Sequence, residues 1–318
     1  MSAGRNPADV LEKAGFRTRI VPPSLADETV RDMAALFASG TLSPDFARRY
    51  RHKFRPDWKA SCPDARSVLV LAVPAPEVLL RFPYGGAVRE MAVPPGYAYA
   101  GLDAAVARAV KEAFEGTGFY AQPLEGVPLK LLAVRSGLCR YGRNNITYCE
   151  GLGSYHQLHG IVTDMELPFS APGAGAARMP ACAHCKACSN ACPTKAIDPD
   201  APIIHAQRCL TFLNENPGDF PAWLDESSHH AIVGCMKCQR ACPQNRGRLV
   251  SLTVDAAFDE QDVGPLLAGG AFGDLPEKTQ AALRAYNLDE YWPQLSRNLK
   301  ALLKAEALRN SHETAEPC

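Results

Sequence analysis

The residues best placed to do chemistry are cysteines. Cys182, Cys185, Cys188 and Cys192 stand at C-x2-C-x2-C-x3-C with Pro193 following; Cys209 then stands alone, and Cys235, Cys238 and Cys242 close the series before Pro243. Thiolates at this spacing hold iron–sulfur cubanes, and in the two-cluster arrangement the fourth cysteine of the run ligates the other cluster. Two four-iron clusters need eight sulfurs. The pattern divides them as Cys182, Cys185, Cys188 and Cys242 on one cluster, with Cys192, Cys209, Cys235 and Cys238 on the other. Each Cys-Pro closes a run of ligands at a helix boundary, because proline lacks a backbone donor and fixes φ. Cages of four thiolates also suit zinc. Zinc ribbons, however, pair two C-x2-C knuckles and do not build a triple run ending in Cys-Pro. Disulfides fit worse, since the cysteines are tightly spaced and the N-terminal MSAGRNPADVLEKAGF lacks the apolar core of an export signal.

The elements that position these thiols can be read from the pattern of apolar residues. Residues 7–15 predict a short helix and 26–39 a second, ending at Gly40. The stretch FARRYRHKFRPDWK interleaves Arg48, Arg49, Arg51, Lys53, Arg55 and Lys59 with Phe46, Tyr50, Phe54 and Trp58. Such a stripe could grip RNA or a phosphate-bearing cofactor, but the favoured reading is an amphipathic helix with a solvated basic face. Ser67–Val73 is a continuous apolar run between prolines and predicts a buried strand. Residues 81–97, rich in Gly and Pro, read as loop. A helix is expected from about Asp103 to Gly116 with Val106, Val110 and Phe114 inward. Residues 127–134 form a strand or helix, and 157–165 a strand. Strands alternating with helices predict an α/β layer before the cysteines, and Ala171-Pro172-Gly173-Ala174-Gly175 a linker. Beyond Arg248 the chain turns polar, then helical over 277–285 and 292–307, and its last residues fray.

The totals bound the rest. With 318 residues, 47% apolar and 21% charged, the chain is an ordinary globular protein with room for a full core. A formal net charge of zero gives no global sign of a nucleic-acid binder. No apolar run approaches the length of a membrane span, so no membrane partner is expected and the cytoplasm is the default location. Of twelve cysteines, Cys62, Cys139, Cys149 and Cys318 lie outside the ligand set.

RSVLVLAVP after RPDW, then SGLCRYGRNN, then GLGSYHQLHGIVTDMELP, and then the double cysteine set with CPTKAI together resemble the epoxyqueuosine reductases, over roughly residues 55–250. Reductive dehalogenases are more distant relatives. The resemblance implies a nitroreductase-like corrinoid-binding α/β domain joined to a two-cluster bacterial-ferredoxin-like module, and a short helical tail. Its boundaries would be a helical segment at 1–60, the cofactor and substrate domain at 61–175, the double [4Fe-4S] domain at 176–250 and the tail at 251–318. Electrons from a donor such as flavodoxin or ferredoxin would pass through both clusters to cobalamin, whose cobalt would reduce a small-molecule or nucleoside-like substrate.

Three departures bear on that substrate. The family's catalytic acid is an aspartate in a Val-Asp-Ser/Thr-Ala-Pro motif; here the region reads AQPLEGVPLKLLAVRSGL, and the counterpart of the aspartate is about Pro123, with Glu125 nearby. AGLDAAVAR replaces a Gly-x-Asp-Tyr-His stretch. The tail is too short for the helical repeats that some members use on tRNA. These losses weigh against tRNA as a partner.

The same resemblance places candidate residues around the turn CRYGRNN. Tyr141 is the candidate catalytic acid, since a phenol beside a cation can protonate a leaving group. Arg143 is a candidate anion clamp, and Asn144, Gly153, Ser154 and His156 are candidate cofactor contacts. His156 and His159 could each face the corrinoid or ligate cobalt. Three residues apart on a strand they point to opposite faces, so at most one does. Two other readings stand beside the cobalamin-dependent reductase: an electron-transfer protein with two clusters and no corrinoid or substrate, and a true tRNA epoxyqueuosine reductase with a substituted acid.

Overall fold

In a computed structural model the chain is described over residues 6–55, 57–97, 100–171, 173 and 178–313. The elements run in chain order as α1 (Pro7–Lys13), β1 (Arg17–Val21), α2 (Pro23–Ala38), α3 (Pro44–Tyr50), β2 (Ser67–Pro74), β3 (Glu77–Tyr84), β4 (Ala87–Val93) and α4 (Ala100–Phe114). β5 (Gln122–Pro123), α5 (Leu129–Arg135), β6 (Cys139–Tyr141), β7 (Thr147–Cys149) and β8 (His156–Thr163) follow. The cysteine-rich stretch holds α6 (Ala187–Ala191), α7 (Leu210–Glu215) and α8 (Lys237–Arg240). The chain ends with β9 (Ser251–Val254), α9 (Glu260–Ala268), α10 (Glu277–Ala285) and α11 (Trp292–Glu313). Two compact units emerge, one of residues 1–75, 103–186 and 199–206, the other of 76–102, 187–198 and 207–318.

The first unit is built on a four-stranded sheet in the order β1-β2-β8-β5, antiparallel throughout. β2 is central and buried from Ser67 to Val73, which is why it reads as an unbroken apolar run rather than an alternation. Val68, Val70 and Ala72 pack with Val30 of α2 and with Leu132 and Ala133 of α5. β1 (Arg17–Val21), not foreseen from the sequence, alternates exposed and buried up to Ile20 and pairs with β2 from Arg17↔Ala72 to Val21↔Val68. Residues 127–134 resolve as helix α5. The small hairpin β6–β7 turns at Asn145, whose φ of 60° lies in the left-handed region that asparagine tolerates better than most residues. Of the expected linker, residues 172, 174 and 175 lie outside the described residues.

The second unit corrects the loop expected at 81–97. That segment is the β3–β4 hairpin, turned by Gly85-Gly86 with φ of 61° and 74°. Positive φ at both central residues matches the twist of the flanking strands, so the glycines that suggested a loop make the strand pair possible. β9, also unforeseen, pairs parallel with β3 from Glu77↔Ser251 to Leu80↔Val254. Val78, Leu80 and Phe82 then face a core of Phe258, Leu266 and Leu299, with Phe82 and Phe258 edge to face at 6.3 Å. Residues 76–102 thus belong with the C-terminal half, whereas contiguous domains cut at 60, 175 and 250 would leave them in the front domain. The predicted helices at 277–285 and 292–307 are present as α10 and α11. Among the described residues no helix is long and apolar enough to cross a membrane.

Candidate iron–sulfur and substrate site

Each cysteine run sets its thiols around a very short helix: α6 lies between Cys185 and Cys192, and α8 between Cys235 and Cys242. Both stop at Cys-Pro, as the missing proline donor requires, and α6 packs on α8 within the second unit. Backbone amides point at the sulfurs. Ala196 N donates to Cys192 Sγ at 3.3 Å. Thr211 and Phe212 amides donate to Cys209, and that of Lys237 to Cys235. Amides aimed at a thiolate stabilise its charge, and in a cluster they raise the reduction potential. Burial pushes the Cys235 thiol up to about 12, and the fields of Cys209 and Cys192 add to it. These three sulfurs therefore neighbour one another. The donor set is all sulfur, with amides already turned towards it, and it fits an iron–sulfur cluster.

Supports for these loops carried no sequence signal. In the first unit the guanidinium of Arg143 donates from Nε to Cys185 O at 3.1 Å, from Nη1 to Pro199 O, and from Nη2 to Cys182 O and to Ala183 O at 3.2 Å. Arg143 is thus a clamp on backbone carbonyls of the first cysteine loop, and the donors expected to grip an anion are engaged there. In the second unit Arg240 of α8 pairs with Glu77, whose side chain is only 3% exposed and also accepts from Ser251. Asn298 on α11 is buried and donates to Asn214 O at 2.8 Å and Ile232 O at 2.9 Å, while Asn214 donates to Gly234 O. A lone acid opening a strand and an asparagine inside a helix give no hint of such partners. What they hold is the backbone just before Cys235 and the helix α8 between Cys235 and Cys242.

Around the β6–β7 hairpin the other candidates fall into place. Tyr141 ends β6, half-buried, and burial followed by the nearby Cys139 pushes its phenol up to about 12, so it stays protonated through the neutral range. Asn144 is buried, its amide donating to Tyr148 Oη at 3.1 Å and its carbonyl accepting from Ile146 N. Gly153 has φ of 61° and closes onto Cys149, and Ser154 is buried beside it. His156 is buried with Nδ1 on Gly153 O at 3.1 Å and Nε2 on Thr147 Oγ1 at 3.2 Å. Burial pushes its imidazole down to about 4. The cobalt-ligand role expected for His156 is corrected: both ring nitrogens already have partners in the core. With Arg143, Asn144 and His156 committed inside the chain, this set of residues does not fit a corrinoid.

His159, three residues on, takes the opposite face of β8, as the strand period requires. It lines a cavity of about 600 Å³ between α4 and the sheet, with Asp103, Val110, Lys111, Phe114 and Pro123. Burial lowers the His159 pKa, and Asp103 partly opposes the shift. Pro123, which the resemblance sets near the family's aspartate, lines this cavity without a carboxylate. Glu125 is exposed and pairs with Arg55 at 3.4 Å, so it does not replace the missing acid. The basic–aromatic stripe is mostly spent locally: Arg48 and Arg49 pair with Asp45, Lys59 with Asp27, and Arg51 lies over the Phe37 ring.

Comparison with known proteins bears on the whole. Residues 181–245 match the 4Fe-4S double cluster binding domain. The chain is 30% identical over 149 residues to an epoxyqueuosine reductase of Aliivibrio fischeri, covering 46% of this chain and 38% of that protein. It is 25% identical over 269 residues to the Bacillus subtilis enzyme, covering 81% and 66%. The matched stretches thus span from about a third to two thirds of these relatives' length. Among solved structures, the epoxyqueuosine reductase of Streptococcus thermophilus superimposes with a TM-score of 0.65 at 20% identity, over 98% of this chain and 83% of that one. An epoxyqueuosine reductase solved with an epoxyqueuosine-modified tRNA-Tyr stem loop gives 0.55 at 20% identity, over 93% and 84%. This is a mixed α/β protein with a 4Fe-4S double cluster binding domain that resembles the epoxyqueuosine reductases in sequence and in fold.

Proposed function

We propose that this chain is an iron–sulfur oxidoreductase that reduces epoxyqueuosine in tRNA. The observation that carries the reading is the double-cluster match at 181–245 inside a chain whose fold follows epoxyqueuosine reductases over nearly its full length. Cys182, Cys185, Cys188 and Cys242 hold one cluster, and Cys192, Cys209, Cys235 and Cys238 the other. Such clusters supply single electrons at low potential. Opening an epoxide to the alkene consumes two electrons and two protons and releases water, so the protein must also deliver protons. Tyr141 is the residue we assign to that task, a phenol kept protonated by burial. Arg143 holds the carbonyls of the loop bearing Cys182 and Cys185 in place. This reading takes up the alternative of a tRNA epoxyqueuosine reductase with a substituted acid: the relatives are named epoxyqueuosine reductases, and one such enzyme was solved with an epoxyqueuosine-modified tRNA stem loop.

The test is reduction of epoxyqueuosine-containing tRNA by anaerobically reconstituted protein with a chemical reductant, with and without added cobalamin, read by mass spectrometry of the nucleoside. Formation of queuosine supports the assignment, and its dependence on cobalamin decides whether a corrinoid takes part. Absence of product under both conditions refutes it. One observation favours a second reading, an electron carrier without its own substrate: Pro123 stands where the aspartate would, and the nearby polar candidates are spent internally. That protein would reoxidise rapidly with a redox partner such as flavodoxin while leaving the nucleoside untouched.

A further inference from the structure

Cys139 and Cys149 are the two thiols of the β6–β7 hairpin, and they are directly opposite each other in its register. The N–H and C=O of Cys149 are both turned to Gly153, at 2.9 Å and 3.0 Å, away from β6. The pair therefore occupies a site without ladder hydrogen bonds, where opposed Cα atoms approach to about 4.5 Å. Disulfides span Cα separations of roughly 4.4–6.8 Å, so this site admits one without moving the strands. The thiols are hydrogen-bonded to one another. His156 Nε2 lies 3.9 Å from Cys139 Sγ. Both cysteines are buried, at 3% and 5% exposure, and neither belongs to the cluster set.

We propose that Cys139 and Cys149 form a reversible disulfide when the protein meets a hydroperoxide, making the hairpin that carries Tyr141 and leads to Arg143 a redox modification site. The two thiols are unequal. The shared hydrogen bond, with Arg17 and Arg19, lowers Cys149 and favours its thiolate, while that bond and burial raise Cys139. A thiolate is the nucleophile in such chemistry. Cys149 attacks the peroxide, forming a sulfur–oxygen bond as the oxygen–oxygen bond breaks, and one hydroxide leaves as water with the proton of the Cys149 thiol. Cys139 then attacks the sulfenic sulfur. The sulfur–sulfur bond forms, the sulfur–oxygen bond breaks, and a second water leaves with the proton of Cys139, for which His156 is the neighbouring base. Two thiols have lost two electrons, and one peroxide has gained them. The product pins the base of the hairpin next to Tyr148 on one strand and two residues from Tyr141 on the other.

The experiment uses the full chain with its clusters reconstituted, exposed anaerobically to one equivalent of hydrogen peroxide, then denatured in iodoacetamide and digested with trypsin. Arg135, Arg140, Arg143 and Arg178 place the two cysteines in separate peptides, residues 136–140 and 144–178, each with a single cysteine. The expected product is these two peptides joined, lighter by two hydrogens than their sum, appearing before cluster absorbance falls and vanishing on treatment with a dithiol. In Cys139→Ser, the Cys149 sulfenic acid should persist and take up dimedone, and Cys149→Ser should leave Cys139 unlabelled. If both peptides remain singly alkylated after peroxide is consumed, the proposal is overturned. Linkage of either peptide to a cluster cysteine instead of to its partner overturns it equally.

Discussion

Replacing Arg143 with methionine tests how the first cysteine loop is held. The guanidinium makes four hydrogen bonds to carbonyls of Cys182, Ala183, Cys185 and Pro199. A hydrogen bond from a charged donor contributes about 1.5–3 kcal/mol when buried, and freed carbonyls at a half-exposed site recover part of that from water. Discounting each bond to somewhat under 1 kcal/mol gives a total of about 3 kcal/mol, which is a factor of about 100 in how often the loop opens. If iron leaves through that opening, methionine should speed its release to excess chelator by roughly 10- to 100-fold. The acceleration should be confined to the cluster that Cys182 and Cys185 hold. Loss of visible absorbance under anaerobic conditions, resolved into its two phases, is the assay. Arg143→Lys should fall between, since one ammonium cannot reach carbonyls on several sides as the planar fork does. Release at the unmodified rate in Arg143→Met refutes the clamp, and so does a lysine variant as labile as methionine.

Three further perturbations probe the same framework. His156 is held neutral by burial with its pKa down at about 4, so the unfolded chain binds its proton more readily and stability is full above about pH 6.5 and falls as the pH drops towards 4. Between pH 7 and pH 5 that loss is about 2 kcal/mol, and His156→Gln should remove it from the pH dependence of denaturant unfolding. Gly234 has φ of 64°, and a Cβ there would meet the Tyr97 ring at 2.5 Å. Gly234→Ala should therefore cost about 2–4 kcal/mol and lower the iron content measured on reconstitution, because Cys235 follows directly. Asn298→Leu strands two buried carbonyls, at Asn214 and Ile232; at roughly 1–3 kcal/mol each, it should lower the unfolding midpoint more than an alanine substitution on the exposed face of α11 does.

The cysteine module was legible in the sequence because its information is local. Ligand spacing fixes which thiols share a short loop, and a proline after the last of them stops the helix, so α6 and α8 were foreseeable from composition and order. β2, α4, β8 and α11 were likewise written in the period of their apolar residues, and the same period put His156 and His159 on opposite faces. What no window of sequence could supply is partnership at long range. The parallel pairing of β3 with β9 joins residues separated by more than half the chain, and together with the packing of Val78, Leu80 and Phe82 on the C-terminal core it assigns the β3–β4 hairpin to the second unit. Arg143 has the donors for an anion or for carbonyls, and only the approach of the Cys182–Cys185 loop selects carbonyls. Glu77 likewise becomes a buried anchor for α8 because β3 lies beside Arg240. Residue type and spacing determine what a side chain is able to do, and the tertiary fold decides which neighbour it does it to.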